Sequence, residues 1–526
     1  MKTTLRKLTV AGPLVIFLLL PALTRAEIGV QAWVQRYNGP GNGDDEAYAV
    51  AVDGSNNVVV TGASINSDSG YDYATIKYSS AGVPLWTNRY NGPGNGDDEA
   101  SGVAVDGSNN VIVTGYSTGS GGNYDYTTIK YSSAGVPLWT NRYNGPGDIH
   151  DIATAVAVDG SNNVLVTGYS WGGGEIWYDY ATIKYSSDGV PLWTNRYNGP
   201  GNLSDQAYAV VVDVGNNVIV TGYSMGSVSS ADYTTLKYSS AGVPLWTNRY
   251  NGPANSFDQA NSVAVDGSND VIVTGYSAGT GSGNDYTTIK YSSAGLPLWT
   301  NRYNGPGNGD DEAVAVASDG MNNVLVTGYS IGDGNSYDYA TLKYSSAGVP
   351  LWTNRYNGPG NGPDEAYAVA VDGGNNVIVT GYSTNSASGY DYATIKYSSA
   401  GVPLWTNRYN GPANADDLAK ALAVDHSGNV IVAGHSMGSG SDYDFATVKY
   451  IPVPSPVLTP LQLTSGSFQM RVDDVLQPGI LVIQASTSLT SWAPVFTNTT
   501  PTNVLFYTDP AARNYPGRFY RAFQSP

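Results

Sequence analysis

The sequence predicts an all-β protein, an eight-bladed β-propeller of four-stranded blades followed by a small C-terminal β-sandwich. Three observations predict it. A tryptophan-led phrase recurs at Trp33, Trp86, Trp139, Trp193, Trp246, Trp299, Trp352 and Trp405, every 53 residues with one step of 54. Each unit holds four short alternating or β-branched runs, punctuated by Gly, Asn and Asp and without a helical period. The array also starts and stops on different strands, an offset that closed rings use to seal their seam.

Taken in chain order, a unit runs through strand A (AYAVAVD), the turn DGSNN, strand B (VIVTG), a variable Gly/Ser loop, strand C (YDYATIKY), the turn SSAGVP and strand D (PLWTNRY). Asp, Asn and Gly favour the tight turns, and the β-branched runs favour the pleated strands between them. The array opens on strand D, residues 32–37, and closes on strand C, residues 443–450. The first strand is therefore expected to complete the last blade and leave no free sheet edge.

Phrases such as "AVDGSNNVIVTGYS" and "YDYATIKYSSAGVPLW", from Trp33 to Tyr450, resemble the SBBP repeats of secreted bacterial proteins. That resemblance implies a propeller but no single activity, and the family name suggests seven blades where eight units are counted here. The propeller is assigned to residues 27–450. Past it, "IPVPSPVLTP" carries four prolines and reads as a linker over 451–460. Residues 461–526, with runs such as FQMRV and ILVIQAS, read as the β-sandwich. Their "STSLTSW" phrase and "RFYR" ending resemble a small domain at the C-terminus of many exported bacterial proteins.

Residues 1–26 read as a signal peptide: Lys2, Arg6 and Lys7 precede the apolar run Leu14 to Leu20, and Thr24-Arg25-Ala26 forms a small-residue cleavage site. Secretion or display at the cell surface is expected, with no membrane span, because the apolar run is short of the ~20 residues needed. Losing the leader takes the net charge from -18 to -22. So acidic a surface repels phosphate backbones and argues against nucleic acid as a partner. The absence of cysteine removes disulfides and thiolate metal sites.

Five charged positions recur in all eight units: counted from each Trp, Arg at +3, Asp at +12, Asp at +20, Asp at about +39 and Lys at about +44. Groups repeated by symmetry make a poor catalytic centre, so they read as caps, turn formers and ion pairs between blades. No metal or cofactor is implied, although Asp-rich loops could supply oxygen ligands to calcium. The first such places are Asp44, Asp45 and Glu46, and Asp97, Asp98 and Glu99.

Variation falls in two loops, B–C and D–A, which an up-and-down blade presents on one face. The third unit departs furthest. Its B–C loop, within "YSWGGGEIWYDY", carries Trp171, Glu175 and Trp177, and its D–A loop carries Ile149 and His150. Exposed aromatics beside a carboxylate suit sugar rings, whereas a longer loop could equally collapse on its own tryptophans. Phe257 in a later D–A loop is a secondary candidate. His426 and His435 sit at opposite ends of one strand B, too far apart to share a metal.

These readings lead to an exported, non-catalytic binding or scaffold protein, expected to be a monomer, whose partner is a polysaccharide or a surface protein. The alternatives are a polysaccharide lyase or glycoside hydrolase, and a purely structural surface component. An enzyme would require paired carboxylates or a His/Tyr/Arg group that breaks the symmetry near one site.

Overall fold

The computed structural model describes residues 27–525 apart from 68–69, 174–176, 228–229, 335, 387–388, 441, 455–456, 465–466, 474, 476–479, 488–490 and 515–517. The leader, residues 1–26, lies outside the described residues. The chain divides into two units, one spanning Ala32–Tyr450 and the other holding Ile451–Pro526.

The larger unit is a β-propeller of eight four-stranded antiparallel sheets. Blade 1 comprises strands A (Asp45–Val52), B (Val58–Ile65), C (Tyr71–Tyr78) and D (Pro84–Tyr90). Blades 2 to 8 begin at Asp98, Asp151, Asp205, Asp258, Asp311, Asp364 and Asp417. Strand D of blade 8 is Glu27–Tyr37, which pairs with Tyr443–Pro454. Strands A of successive blades touch in a closed circuit, the last against the first, and so surround the ring axis. A seven-bladed ring with one blade left outside is thereby ruled out.

Burial explains the sequence pattern of each strand. Strand B is covered by neighbouring blades on both sides and is buried almost throughout, which calls for an unbroken β-branched run. Strand A faces the axis and is half-buried, whereas strand D is the outermost and most exposed. A bulge between Ala47 and Ala49 brings the backbone of strand A close to strand B. A Cβ on Gly62 would lie 1.9 Å from the Glu46 carbonyl oxygen, so glycine is required in VVVTG.

In the A–B turn, Asp53 Oδ1 accepts from the backbone N–H groups of Ser55 (2.8 Å) and Asn57 (2.9 Å). Asn56 takes the left-handed conformation there (φ 62), which asparagine tolerates.

Blades are tied to one another by a repeated set of bonds. The buried Tyr73 hydroxyl donates to Thr127 O (3.0 Å), and the bond recurs through Tyr392 to Ala446 O (3.1 Å). The recurring tryptophans also work between blades, but half-buried at the rim rather than in the core, Trp405 excepted. The Trp33 indole N–H donates to Ser80 O (3.2 Å), and its ring lies on Gly82 (φ +84) of the next blade. At the seam His426 N–H donates to Asn56 Oδ1 (3.0 Å), repeating the bond that Gly54 makes to Asn109 (2.8 Å).

The smaller unit stacks two three-stranded sheets. One orders Val457–Thr464, Ser467–Asp473 and Val504–Asp509; the other orders Ala493–Asn498, Ile480–Ser486 and Phe519–Ser525. Phe468, Met470, Val472, Leu481 and Ile483 form its core. The proline-rich stretch 451–460 is strand on both sides of residues 455–456, not the linker expected from its composition. Pro460 fits because its strand is a sheet edge and the ladder bulges there, between Pro460 and Gln462, so no donor is missed.

Candidate functional site

The recurring charged groups are all scaffold. Asp45 Oδ2 caps the backbone N–H of Gly39 (2.6 Å), a bond repeated at each blade's first residue, as in Asp98 to Gly92 and Asp151 to Gly145. Lys77 pairs with Asp53 (2.8 Å), and Arg89 with Asp72 (2.9 Å). Both ion pairs lie within one blade, which corrects the expectation of pairs between blades. The cations reach the neighbouring blade through neutral oxygens instead, Lys77 to Ser133 O (3.2 Å) and Arg89 to the Tyr37 hydroxyl (3.3 Å). A carboxylate of the same blade already matches each charge, so the interface needs only to satisfy remaining donors.

These two sets of aspartates titrate in opposite directions. Burial raises the cap carboxyls, bringing Asp205 and Asp417 to about 6. Burial also pushes Asp159 up, but the Lys184 ammonium, the Asn163 amide and nearby backbone N–H groups outweigh it and hold the carboxyl below 3.8. A cap with a raised folded pKa stabilises in its protonated form, and that contribution is lost as pH rises through about 6. The ion-paired group stabilises above the unfolded value of ~3.9, and its contribution is lost as pH falls through the lowered folded pKa. The melting temperature is therefore expected to peak between about pH 4 and 6 and to fall on the acid side. A maximum above pH 7 would contradict this assignment.

The proposed metal ligands do not converge. Asp44 Oδ1 accepts from Tyr443 N (2.9 Å), Asp45 caps Gly39, and Glu46 accepts from the Tyr48 hydroxyl (2.8 Å). Asp97 accepts from Tyr71 N (3.1 Å), Asp98 caps Gly92, and Glu99 bonds the Tyr116 hydroxyl. Neighbours along a strand point to opposite faces, so three consecutive acids cannot share one ion. Among the described residues no group of three His, Cys, Asp or Glu could hold a metal.

The B–C and D–A loops do lie at one end of the ring, touching across blade junctions as Tyr71 does with Asp97. In the third blade Trp171 ends strand B and packs edge-on against Tyr178 (5.0 Å between ring centres), while a Cβ on Gly147 would meet its indole at 2.5 Å. Trp171 N–H donates to His150 O (3.2 Å). The His150 ring turns the other way: its Nδ1 accepts from Tyr124 N (3.2 Å) and it packs at a tilt against Tyr124 of the preceding blade (4.8 Å). His150 thus fills the inter-blade slot that Asp97 fills one blade earlier. Phe257 occupies the same slot two blades on, between Tyr223 (5.4 Å) and Tyr276 (6.2 Å). Ile149 is half-buried, and Trp177 is exposed at 39%. Glu175 lies outside the described residues. Of the named set, Trp177 is the side chain the structure leaves open to a ligand.

A second asymmetric group lies at the same end, on strand A, and sequence reasoning missed it. The second residue of strand A runs round the ring as Glu46, Glu99, Ile152, Gln206, Gln259, Glu312, Glu365 and Leu418, and the fourth as Tyr48, Ser101, Thr154, Tyr208, Asn261, Val314, Tyr367 and Lys420. Blades 6, 7, 1 and 2 carry the acids, blades 3 to 5 are neutral, and blade 8, between the two acidic pairs, carries Leu418 and Lys420 instead. Burial raises Glu99 and Glu312, helped by the charges of Asp97 and Glu46 in one case and of Asp310 and Glu365 in the other, against the lowering hydrogen bonds from Tyr116 and Tyr329. Lys420 Nζ sits 4.1 Å from the centre of the Tyr367 ring, and Tyr367 donates to Glu365 (2.9 Å). The signal was in the sequence: Lys420 is the one lysine after the leader outside the strand-C slot.

No family model matches the chain. A curated relative, an uncharacterized WD repeat-containing protein L264 of Acanthamoeba polyphaga mimivirus, is 24% identical over 429 residues, covering 64% of this chain and 29% of that protein. The chain thus spans less than a third of that relative's length. That relative is a viral WD-repeat protein, and the resemblance to bacterial SBBP repeats finds no counterpart among family models. Solved structures similar to the chain include Drosophila Plexin A in complex with Semaphorin 1b (TM-score 0.38, 8% identity, 81% of this chain and 88% of that one). An ulvan lyase of a polysaccharide lyase family is similar at TM-score 0.38 and 10% identity, over 66% of this chain and 90% of its own. A eukaryotic initiation factor follows at TM-score 0.37 and 10% identity, over 69% and 88%.

Proposed function

We propose that this chain is an exported, non-catalytic binding protein that presents the loop-bearing end of its propeller to a polysaccharide. One observation carries the reading. The charged groups that recur in every blade are engaged inside the scaffold, while the two loops that differ most from blade to blade lie at a single end of the ring. A rigid ring with variable loops at one end is the ordinary layout of a binding surface. That end is rich in tyrosine: Tyr71, Tyr124, Tyr178, Tyr337, Tyr390 and Tyr443 start their strands C half-buried, alongside exposed Trp177. Aromatic faces beside carboxylates and carboxamides offer stacking together with hydrogen bonds, the combination a sugar ring uses.

No helix among the described residues is long and apolar enough to cross a membrane. Export rests on the leader, and a cell-surface protein partner is the second reading the same end would serve. A pull-down of residues 27–526 on soluble and insoluble polysaccharides tests the proposal, with Trp177→Ala and Trp171→Ala/Trp177→Ala as variants. Binding by the wild type is expected, weakened about tenfold in Trp177→Ala, the ~1.4 kcal/mol that suits one lost stacking contact. Absence of binding across the panel would overturn the glycan reading.

A further inference from the structure

Around the ring, polar groups at the inner end of strand A are matched within the scaffold. Glu46 holds Tyr48 (2.8 Å), Gln206 holds Tyr208 (2.9 Å), Gln259 holds Asn261 (2.9 Å), Glu312 holds Tyr329 (2.6 Å), and Glu365 holds both Tyr367 and Tyr382. Blade 8 breaks this rule at three positions together. Leu418 stands where six blades carry Glu or Gln, Lys420 where three carry tyrosine, and His435 where six carry tyrosine.

The consequence is a buried ring nitrogen without a hydrogen-bond partner, beside an ammonium that no hydrogen bond holds. His435 is only 6% exposed, packs edge-on against Tyr443 (4.9 Å), and has no hydrogen-bond partner at Nδ1. The residue opposite it, in register across strands A and B, is Leu418, whose side chain offers no hydrogen bond. Lys420 has only the Tyr367 ring, with no hydrogen bond or ion pair to its ammonium among the described residues. A buried polar group left unmatched costs ~1–3 kcal/mol, and His435 Nδ1 stands, next to half-buried Lys420, in the one blade that departs at all three positions.

We infer that Lys420 and His435, flanked by Glu365 and Glu46 from the adjoining blades, form a recognition site for a neutral vicinal diol of a sugar. This inference rests on the glycan reading above and moves the principal contact from the third blade to the eighth. Lys420 donates to a hydroxyl oxygen, Glu365 and Glu46 accept from O–H groups, and His435 offers a ring nitrogen to either role. Burial, aided by the charge of Lys420, lowers the His435 pKa to about 3 and keeps the ring neutral. The charges select the ligand. An anion would meet Glu46, Glu99, Glu312 and Glu365 on the blades to either side, and an amine would meet Lys420, whereas a diol takes both donors and acceptors without a net charge of its own.

The test uses the mature chain, residues 27–526, on an array of neutral oligosaccharides, polyuronates and amino-sugar oligomers. Affinities of the hits are measured by calorimetry. Two variants are compared with the wild type: Lys420→Met, and the triple Leu418→Glu/Lys420→Tyr/His435→Tyr. The triple variant installs what blade 7 already carries as Glu365, Tyr367 and Tyr382, so its folding is safeguarded and its melting temperature serves as the check. Neutral oligosaccharides are expected to bind, and both variants to weaken them about tenfold or more, the loss of a charge-assisted hydrogen bond. Undiminished binding by a well-folded triple variant would overturn this site, make blade 8 a worn copy, and leave the glycan reading standing. Preference for polyuronates or amino sugars would overturn the neutral diol. A wild type that binds nothing on the array would remove the glycan reading and this site with it.

Discussion

A chain that starts after Tyr37 is expected to lose cooperative folding of its propeller. Residues 27–37 supply strand D of blade 8, so their removal leaves that blade with three strands and exposes the edge of Tyr443–Tyr450. It strips Trp33, Val34 and Tyr37 from the apolar clusters on either side of the seam. It also leaves Asp444 without Arg36, whose guanidinium pairs with it at 2.7 Å and reaches Ser436. At ~1.5–3 kcal/mol for a buried large side chain, discounted for partial burial, the packing loss alone is on the order of 5 kcal/mol. An open strand edge then templates aggregation. Guanidinium unfolding followed by tryptophan fluorescence, together with size-exclusion chromatography, measures both effects. A truncated chain that stays monomeric with an unchanged midpoint would show that the seam is not held by this strand.

Replacing Lys184 by methionine is expected to cost ~3–5 kcal/mol, the range for stripping one partner from a buried ion pair. Lys184 and Asp159 lie 2.8 Å apart with side chains 3% and 1% exposed, and Lys184 also donates to Ser240 O of the next blade (3.1 Å). Methionine fills the volume but leaves the Asp159 carboxylate with only Asn163 and two backbone N–H groups. Adding Asp159→Asn should return part of the loss, because an amide tolerates burial better than an unpaired charge. Urea midpoints of the two variants and of wild type decide it. A single variant within about 1 kcal/mol of wild type would place these pairs among the energetically neutral surface bridges.

The architecture was legible because each blade repeats the same physical problem. Tryptophan spacing, β-branched runs buried on two sides and the offset ends lead directly to eight sheets closed by the first strand. The placement of both variable loops at one end follows from up-and-down connectivity and needs no side-chain detail. What stayed hidden depends on partner choice. Arg89 could face Asp72 beside it or a carboxylate across the blade junction, and spacing alone does not separate the two. His150 looked like a loop residue but serves as a latch to Tyr124, a role visible only once the neighbouring blade is in place. Pro460 suggested a linker because an edge strand with a bulge is not marked in composition. His435 stood out as a histidine but was weighed only as a metal partner of His426, and Lys420, which breaks a repeat inside a strand, was legible in principle and went unnoticed.

Seam geometry also sets the order in which the chain is assembled. Every strand D but one follows its strand C through a tight turn, so seven such hairpins form locally as the polypeptide emerges. Arg36 and Ser436, joined across the seam, are 400 residues apart. The first strand made is therefore the last to be seated. It carries WVQRY where its siblings carry WTNRY, and little in its own side chains distinguishes it from them. Its place is chosen by vacancy: near-identical strands are kept from scrambling because each rival is already taken by its nearest neighbour along the chain.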